Sequence, residues 1–248
     1  MTMREEFRMA LSRCNVGTIE SRSGRPTIPD VDSHLMTTPA GPLATKPPYL
    51  LRTPRLILRC MEPSDAALRK EAVDSSGAFL KHFFPPTPEG PMSLDAHAAQ
   101  IRKLRANFDL DQDRAHGVFE PETGRMLGEG GLLKRAGIEA LEIGYWFRHD
   151  ATGQGLATEM AAALVKTAFE FDKVRRMDLF CAPDNERSAA MARRLGFTLE
   201  GRLRDRQLAP HHPRGDLLSF TLLASEYPQT RAHQLPLEAF DFLGQRIT

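Results

Sequence analysis

Two glycines, Gly153 and Gly155, stand between a run that reads as a strand and a run that reads as a helix. The strand is Leu141-Glu-Ile-Gly-Tyr-Trp-Phe147, apolar and aromatic, bounded by Arg148, His149 and Asp150. The helix places Leu156, Met160, Leu164, Ala168 and Phe171 at helical spacing. Glycines let backbone N–H groups approach a ligand closely, and the first turn of a helix adds unpaired donors and the positive end of its dipole. The chemistry expected at Gly153–Thr158 is therefore the holding of a pyrophosphate. A Rossmann dinucleotide site competes for the same residues, because Gly153-Gln-Gly155 supplies two of its three glycines. Against it, Thr158 stands where the third glycine belongs, and Arg148–Thr152 separate the motif from its strand.

The whole chain must supply a frame for that turn. It has 248 residues, of which 41 % are hydrophobic and 26 % charged, enough for a substantial core. A net charge of +1 argues against a direct nucleic-acid partner, which calls for a concentrated basic face. Cys14, Cys60 and Cys181 lie far apart, so neither a metal site nor a disulfide framework is expected, and a reducing cytoplasm fits. No apolar run reaches the length of a membrane span, and the first residues lack a signal-peptide core.

Residues 1–48 are rich in Pro, Ser, Thr and Gly, with one apolar patch at Phe7–Leu11, and are expected to be largely disordered. Order is expected from Leu50. Arg55–Arg59 alternates as a half-buried strand, Pro63-Ser-Asp65 starts a helix running to Val73, and Phe79–Phe84 is an apolar patch ended by prolines. Ser93–Phe108 reads as a second helix. His116–Glu120 and Met126–Leu133 form a hairpin whose turn needs Gly124 in a left-handed conformation. After the central strand and helix come a strand at Arg176–Cys181 and a helix at Asn185–Leu195 stopped by Gly196. The last strands are Phe197–Glu200 and Leu217–Leu223, followed by a tail, 229–248, of undefined structure. Strands joined by both hairpins and crossovers indicate a single mixed α/β domain over 49–228.

Four pieces in order resemble the GNAT family of acetyl-coenzyme A-dependent N-acetyltransferases, in particular its RimJ/RimL-type branch. They are Thr53-Pro-Arg-Leu-Ile-Leu-Arg59; Glu142-Ile-Gly-Tyr-Trp-Phe147; Gly153-Gln-Gly-Leu-Ala-Thr158; and Asn185-Glu-Arg-Ser188 with Leu195-Gly-Phe-Thr-Leu-Glu-Gly201. The resemblance covers about Leu51–Tyr227. It implies a GNAT (acyl-CoA N-acyltransferase) fold, a mainly antiparallel sheet flanked by helices, with acetyl-CoA as co-substrate and no metal. It implies that Gly153, Gln154, Gly155, Leu156, Ala157 and Thr158 cradle the pyrophosphate. It also implies that Trp146, Phe147 and Arg148 bind the pantetheine arm like an added strand. Thr152 stands where the family carries Gln or Arg, a change that leaves the backbone donors in place.

Acetyl transfer to an amine needs a base for the amine proton, a donor for the thioester oxygen and a donor for the leaving thiolate. The resemblance gives the last role to Ser188 and a pantetheine contact to Asn185; both also fit a helix start, Asn185 as its cap. The oxygen would be met by a backbone N–H near Trp146 or Phe147. The acidic residue that ribosomal-protein-modifying relatives carry seven positions after the Leu-Glu-Gly glutamate is Gln207 here, so Glu142 becomes the candidate base, with Asp205, His211 and His212 behind it. Arg187, Arg193 and Arg194 are candidates for the 3′-phosphate, and Phe83, Phe84 and the loop to Pro91 for a cover on the acceptor side. The acceptor implied is a primary amine, first a protein N-terminus of ribosomal type, with an aminoglycoside or polyamine as the alternative. A non-catalytic acyl-CoA-binding module is the contrasting class, and the chain is expected as monomer or homodimer. A chain begun at Met36 is expected to fold and keep its activity; loss of either in a truncation would show that the first 35 residues are needed.

Overall fold

The computed structural model describes residues 47–83, 91–206 and 215–247. The Phe7–Leu11 patch, Cys14, Met36, Phe84 with most of the proline-rich loop, Gln207, His211 and His212 lie outside the described residues. In chain order the elements are β1 (Leu50–Arg52), β2 (Ile57–Cys60), a 3₁₀ turn (Pro63–Asp65), α1 (Ala66–Ser75), α2 (Gly77–Phe83), α3 (Leu94–Asp109), β3 (Arg114–Phe119), β4 (Met126–Leu133) and β5 (Ala140–Phe147). A 3₁₀ turn (His149–Ala151) leads into α4 (Leu156–Glu170), then β6 (Arg176–Cys181), α5 (Glu186–Arg194), β7 (Thr198–Arg206), β8 (Gly215–Leu223), a third 3₁₀ turn (Tyr227–Gln229) and β9 (Glu238–Phe240).

The strands form one sheet in the order β7-β8-β6-β5-β4-β3-β2-β1-β9. Every neighbouring pair is antiparallel except β5 and β6, which run parallel over only three residue pairs, Ala140–Glu142 against Arg176–Asp178. Residue alternation along β5 assigns its two faces. Leu141, Ile143 and Phe147 join Met160, Leu164, Met177 and Leu179 in the larger core, under α4 and α5. Trp146 turns the other way, onto Met61, Ala66, Ala72, Ile101 and Met126, beside α1 and α3. Helix α4 lies close to the sheet because Gly130 has no side chain: a Cβ there would sit 2.3 Å from Met160 Sδ and 3.0 Å from Leu164 Cδ1.

Local signals hold where they are strong. Gly124 has φ 69° in the β3–β4 turn. Gly196, at φ 89°, ends α5 in a Schellman arrangement: Phe197 N–H donates to Ala192 O at 3.0 Å and Gly196 N–H to Arg193 O at 3.1 Å. Elsewhere the structure corrects the expectations. The first hairpin strand starts at Ile57 instead of Arg55, which lies in the turn after β1. The Phe79 patch belongs to a helix, and β7 continues to Arg206 instead of stopping at Glu200. The tail returns to the sheet as β9, with Leu51 facing Leu58 on one side and Ala239 on the other. Strands of three residues are too short to show alternation; their partners define them.

His116 on β3 is buried, with Phe108 edge-on at 4.9 Å. Burial, then the neighbouring Arg114, pulls its imidazole down to about 3, and burial and Arg69 lower His97 in the same direction. The unfolded chain takes up these protons below the ordinary histidine value and the folded chain does not. Stability is therefore full above about pH 6.5 and drains away as pH falls toward 3. His116 alone accounts for about 1.5 kcal/mol between pH 6.5 and 5, or about 3–6 °C in melting temperature. Melting curves across that range are expected to show this slope, and His116→Asn is expected to flatten it; an unchanged slope would put the pH dependence elsewhere.

Candidate active site

The turn between β5 and α4 is built to leave donors free. Gly153 and Gly155 both adopt left-handed φ, 79° and 78°, a conformation that strains a side-chain-bearing residue. Thr152 N–H donates back to His149 O at 3.1 Å and Glu159 N–H to Gly155 O at 3.0 Å. Between them, the amides of Gly153, Gln154, Gly155, Leu156, Ala157 and Thr158 donate to no acceptor among the described residues. Gly153, Gln154 and Gly155 are exposed, and a Cβ on Gly153 would meet nothing within 4 Å. Six adjacent unpaired N–H groups at a helix N-terminus fit a pyrophosphate.

The β1–β2 turn buttresses this one. Glu159, in the first turn of α4, accepts from Thr53 Oγ1 at 2.7 Å, Arg55 N at 3.0 Å and Arg55 Nε at 2.6 Å. Arg55 Nη1 also donates to Gln154 O at 3.0 Å, which brings a half-exposed guanidinium beside the glycines. Sequence reading assigned neither residue a role, although Arg55 lies inside the first resembling piece.

Beyond Glu142 and Asp178, β5 and β6 part, and the cleft between them starts at the turn just described. Arg148 N–H donates to Leu127 O at 2.8 Å, and Trp146 lies opposite Glu129 in the β4 ladder. By the two-residue alternation of the strand, the peptide groups of Glu142, Gly144, Trp146 and Arg148 face β4, whereas those of Ile143, Tyr145 and Phe147 face the β6 side, where Ile143 closes the last parallel pair with Asp178 and Tyr145 and Phe147 open onto the cleft. The expected trio Trp146, Phe147 and Arg148 is divided between the two sides. Phe147 offers its peptide group to an added strand; Trp146 and Arg148 have spent theirs on β4. Tyr145, which sequence reading passed over, joins Phe147 on the open edge.

Asn185 and Ser188 enter from the other side. Asn185 Oδ1 caps α5 by accepting from Ser188 N–H at 3.2 Å. Ser188 is buried, and its hydroxyl lies near the Tyr145 phenol and the Cys181 thiol. Burial raises both acids, and the Ser188 hydroxyl partly offsets it. Arg187, one residue before Ser188, lies over the Phe79 ring at 5.7 Å, and Arg193 over Phe220 at 5.5 Å. Arg194 is exposed at the far end of α5.

Glu142 sits where the strands part, 6 % exposed, on the α1/α3 face. Its carboxylate is gripped by Arg135, Nε donating at 2.6 Å and Nη2 to the second oxygen, so accepting an amine proton requires that pair to open. Asp178, opposite it on β6, is held likewise by Arg176, at 2.9 and 3.0 Å, and accepts from Thr221 Oγ1 at 3.3 Å. Asp205 is exposed on β7, away from this apex in register. Among the described residues no group of three His, Cys, Asp or Glu is placed to hold a metal, and no helix is long and apolar enough to cross a membrane.

The cap at Asn185 is a stability element in its own right. Asn185→Ala is expected to cost about 1 kcal/mol, or roughly 2–4 °C of melting temperature, while Asn185→Asp keeps the cap and the melting point. Equal melting temperatures for the alanine and aspartate variants would show that the cap contributes nothing.

The "Acetyltransferase (GNAT) domain" family model matches residues 55–198. "Putative ribosomal N-acetyltransferase YdaF" of Bacillus subtilis is 29 % identical over 185 residues, 69 % of this chain and 93 % of that protein. The [Ribosomal protein uS5]-alanine N-acetyltransferase of Escherichia coli is 24 % identical over 161 residues, 64 % of this chain and 83 % of its own. Among solved structures, Mycobacterium smegmatis RimJ in complex with CoA-disulfide superposes with a TM-score of 0.64 at 24 % identity, covering 75 % of this chain and 90 % of that one. With the splayed strands and the open glycine turn inside the stretch that the family model matches, more than half of the chain, the chain belongs to the GNAT acetyltransferase family and is an acyl-transferring enzyme.

Proposed function

We propose that this enzyme moves the acetyl group of acetyl-coenzyme A to a primary amine, the α-amino group of a protein N-terminus of ribosomal type. The observation that carries the cofactor half is the run of unpaired amides at Gly153–Thr158, beside the open edge of β5. The acceptor half is supported by relatives named for acetylating ribosomal proteins.

In this reading Gly153–Thr158 and the Thr158 hydroxyl take the diphosphate, with Arg55 adding positive charge. The Phe147 and Tyr145 peptide groups bind the pantetheine arm as a strand would, and Asn185 contacts the same arm. A cleft-facing backbone N–H of β5 donates to the thioester oxygen as charge builds on it. Glu142, released from Arg135, takes the amine proton through water, and the Ser188 hydroxyl donates to the leaving thiolate, taking a replacement proton from water in the same step.

Calorimetry with acetyl-coenzyme A, paired with thiol release over a panel of N-terminal peptides and small amines, tests the whole. Binding with release on peptides is expected; release only on small amines would replace the acceptor, and binding without release on any amine would make the chain an acyl-CoA-binding module. Ser188→Ala is expected to lower kcat by about 10²-fold, in the range of lost general-acid help, with the KM for acetyl-CoA little changed. Glu142→Gln is expected to lower kcat and to change the acid side of the pH–rate profile, and an unaltered profile would free Glu142 of that role.

A further inference from the structure

Arg148 is about 2 % exposed, yet the two carboxylates that hold it are surface groups, Glu71 of α1 and Asp150 of the turn. Its guanidinium donates to Glu71 through Nη1 at 2.7 Å and Nη2 at 2.9 Å, and to Asp150 through Nε at 2.7 Å. Nη2 also donates to Ser75 Oγ at 3.2 Å and Nη1 to Met126 O at 3.3 Å. Next in sequence, His149 N–H donates to Ser76 Oγ at 3.1 Å, and the His149 ring lies 5.0 Å from that of Phe79. Arg125 holds the second oxygen of Asp150, and Asp150 O accepts from Gln154 Nε2 at 3.1 Å.

These bonds join two parts of the molecule that chain connectivity leaves separate. One is the α1–α2 corner, made of Glu71, Ser75, Ser76 and Phe79. The other is the segment Arg148–Asp150, which carries the chain from β5 into the glycine turn. Phe79 also lies under Arg187, so the same corner touches α5 one residue from Ser188. A guanidinium taken out of water is stable only with its donors satisfied, and a planar fork satisfies two carboxylates as a lysine ammonium cannot. The geometry therefore resists displacement of the turn relative to α1.

We propose that Arg148 is a positioning residue: locked to α1 through Glu71, it fixes the approach to Gly153 and so sets how tightly the free amides of the turn receive the diphosphate of coenzyme A. The inference rests on the cofactor reading above, but its effect on the turn itself can be measured without any ligand.

Glu71→Gln removes the charge from the link to α1 at a solvent-exposed site, leaving the Ser75 bond, and Arg148→Lys keeps the charge without the fork. Lys70→Ala, on the same helix and ion-paired among the described residues with Asp74, is the control. With free coenzyme A as the probe, Glu71→Gln and Arg148→Lys are expected to bind 5- to 30-fold more weakly by calorimetry. Hydrogen exchange at the bonded amides of Arg148, Ala151 and Thr152, which carry the chain into the turn, is expected to speed up in both in the ligand-free protein, with the melting temperature of Glu71→Gln within 2 °C of the parent. Lys70→Ala should match the parent throughout. Unchanged affinity and unchanged exchange in Glu71→Gln would overturn the proposal, and that variant decides alone should Arg148→Lys fail to fold. A parent chain that does not bind coenzyme A would defeat the cofactor reading, while faster exchange in Glu71→Gln would still support the positioning of the turn.

Discussion

A strand that loses its neighbour partway along must place its peptide groups somewhere. β5 is bonded to β4 along nearly its whole length, but β6 accompanies it only as far as Glu142 and Asp178. β6 does not bend to follow, because all six of its residues are paired with β8. The peptide groups of Tyr145 and Phe147, beyond the last parallel pair, are left without a ladder. Leaving such groups dry and unpaired costs about 1–3 kcal/mol each, so the open edge is stable only when wet or when an extended, amide-bearing molecule lies along it. The pantetheine arm answers that description, and the rest of the site can be understood as arranged around one broken ladder.

The turn that follows repeats the principle with a different backbone. A helix start leaves its first amides without intrahelical acceptors, and most helices cover them with a side-chain cap. α5 does so with Asn185; α4 does not, having Gly155 at the corresponding place. Two left-handed glycines turn the donors outward, and the support comes from beneath, where Glu159 gathers the Thr53 hydroxyl and the Arg55 amide and guanidinium. That carboxylate also lies in the turn of α4 where negative charge suits the helix dipole. The stabilisation a capping side chain would supply is thus moved off the face a ligand needs.

What could be read from the chain alone follows from the range of each interaction. The glycine turn, the spacing of α4, the Asn185 cap and the Gly196 stop are local, and each is visible in a few adjacent residues. β1 and β9 exist because Leu51 has partners nearly two hundred residues apart in sequence, so no window around either shows them. Arg135 lies seven residues from Glu142 but meets it only because β4 and β5 pair in that register. The division of Trp146, Phe147 and Arg148 between two sides has the same origin. Alternation tells which side chains share a face, but which neighbour a peptide group addresses depends on which strand lies on each side, and that is a property of the sheet. Tyr145 was missed because its significance comes from Ser188 and Cys181, on two other elements.

The same alternation divides the candidate chemistry between the faces of the sheet. Tyr145 shares its face with Cys181 and Ser188, beneath α4 and α5, while Glu142 turns to the other face with Asp178 and their two arginines. In the proposed reaction a thiolate leaving toward Ser188 and an amine arriving toward Glu142 would therefore come from opposite sides of one sheet, so the amine can add to the thioester carbonyl without meeting the departing sulfur. An intact sheet could not offer this, since its backbone separates the faces. Parting β5 from β6 opens a passage through it. The three remaining parallel pairs fix where that passage ends, and they set Glu142 at its closed end, with a partner arginine exposed enough to move.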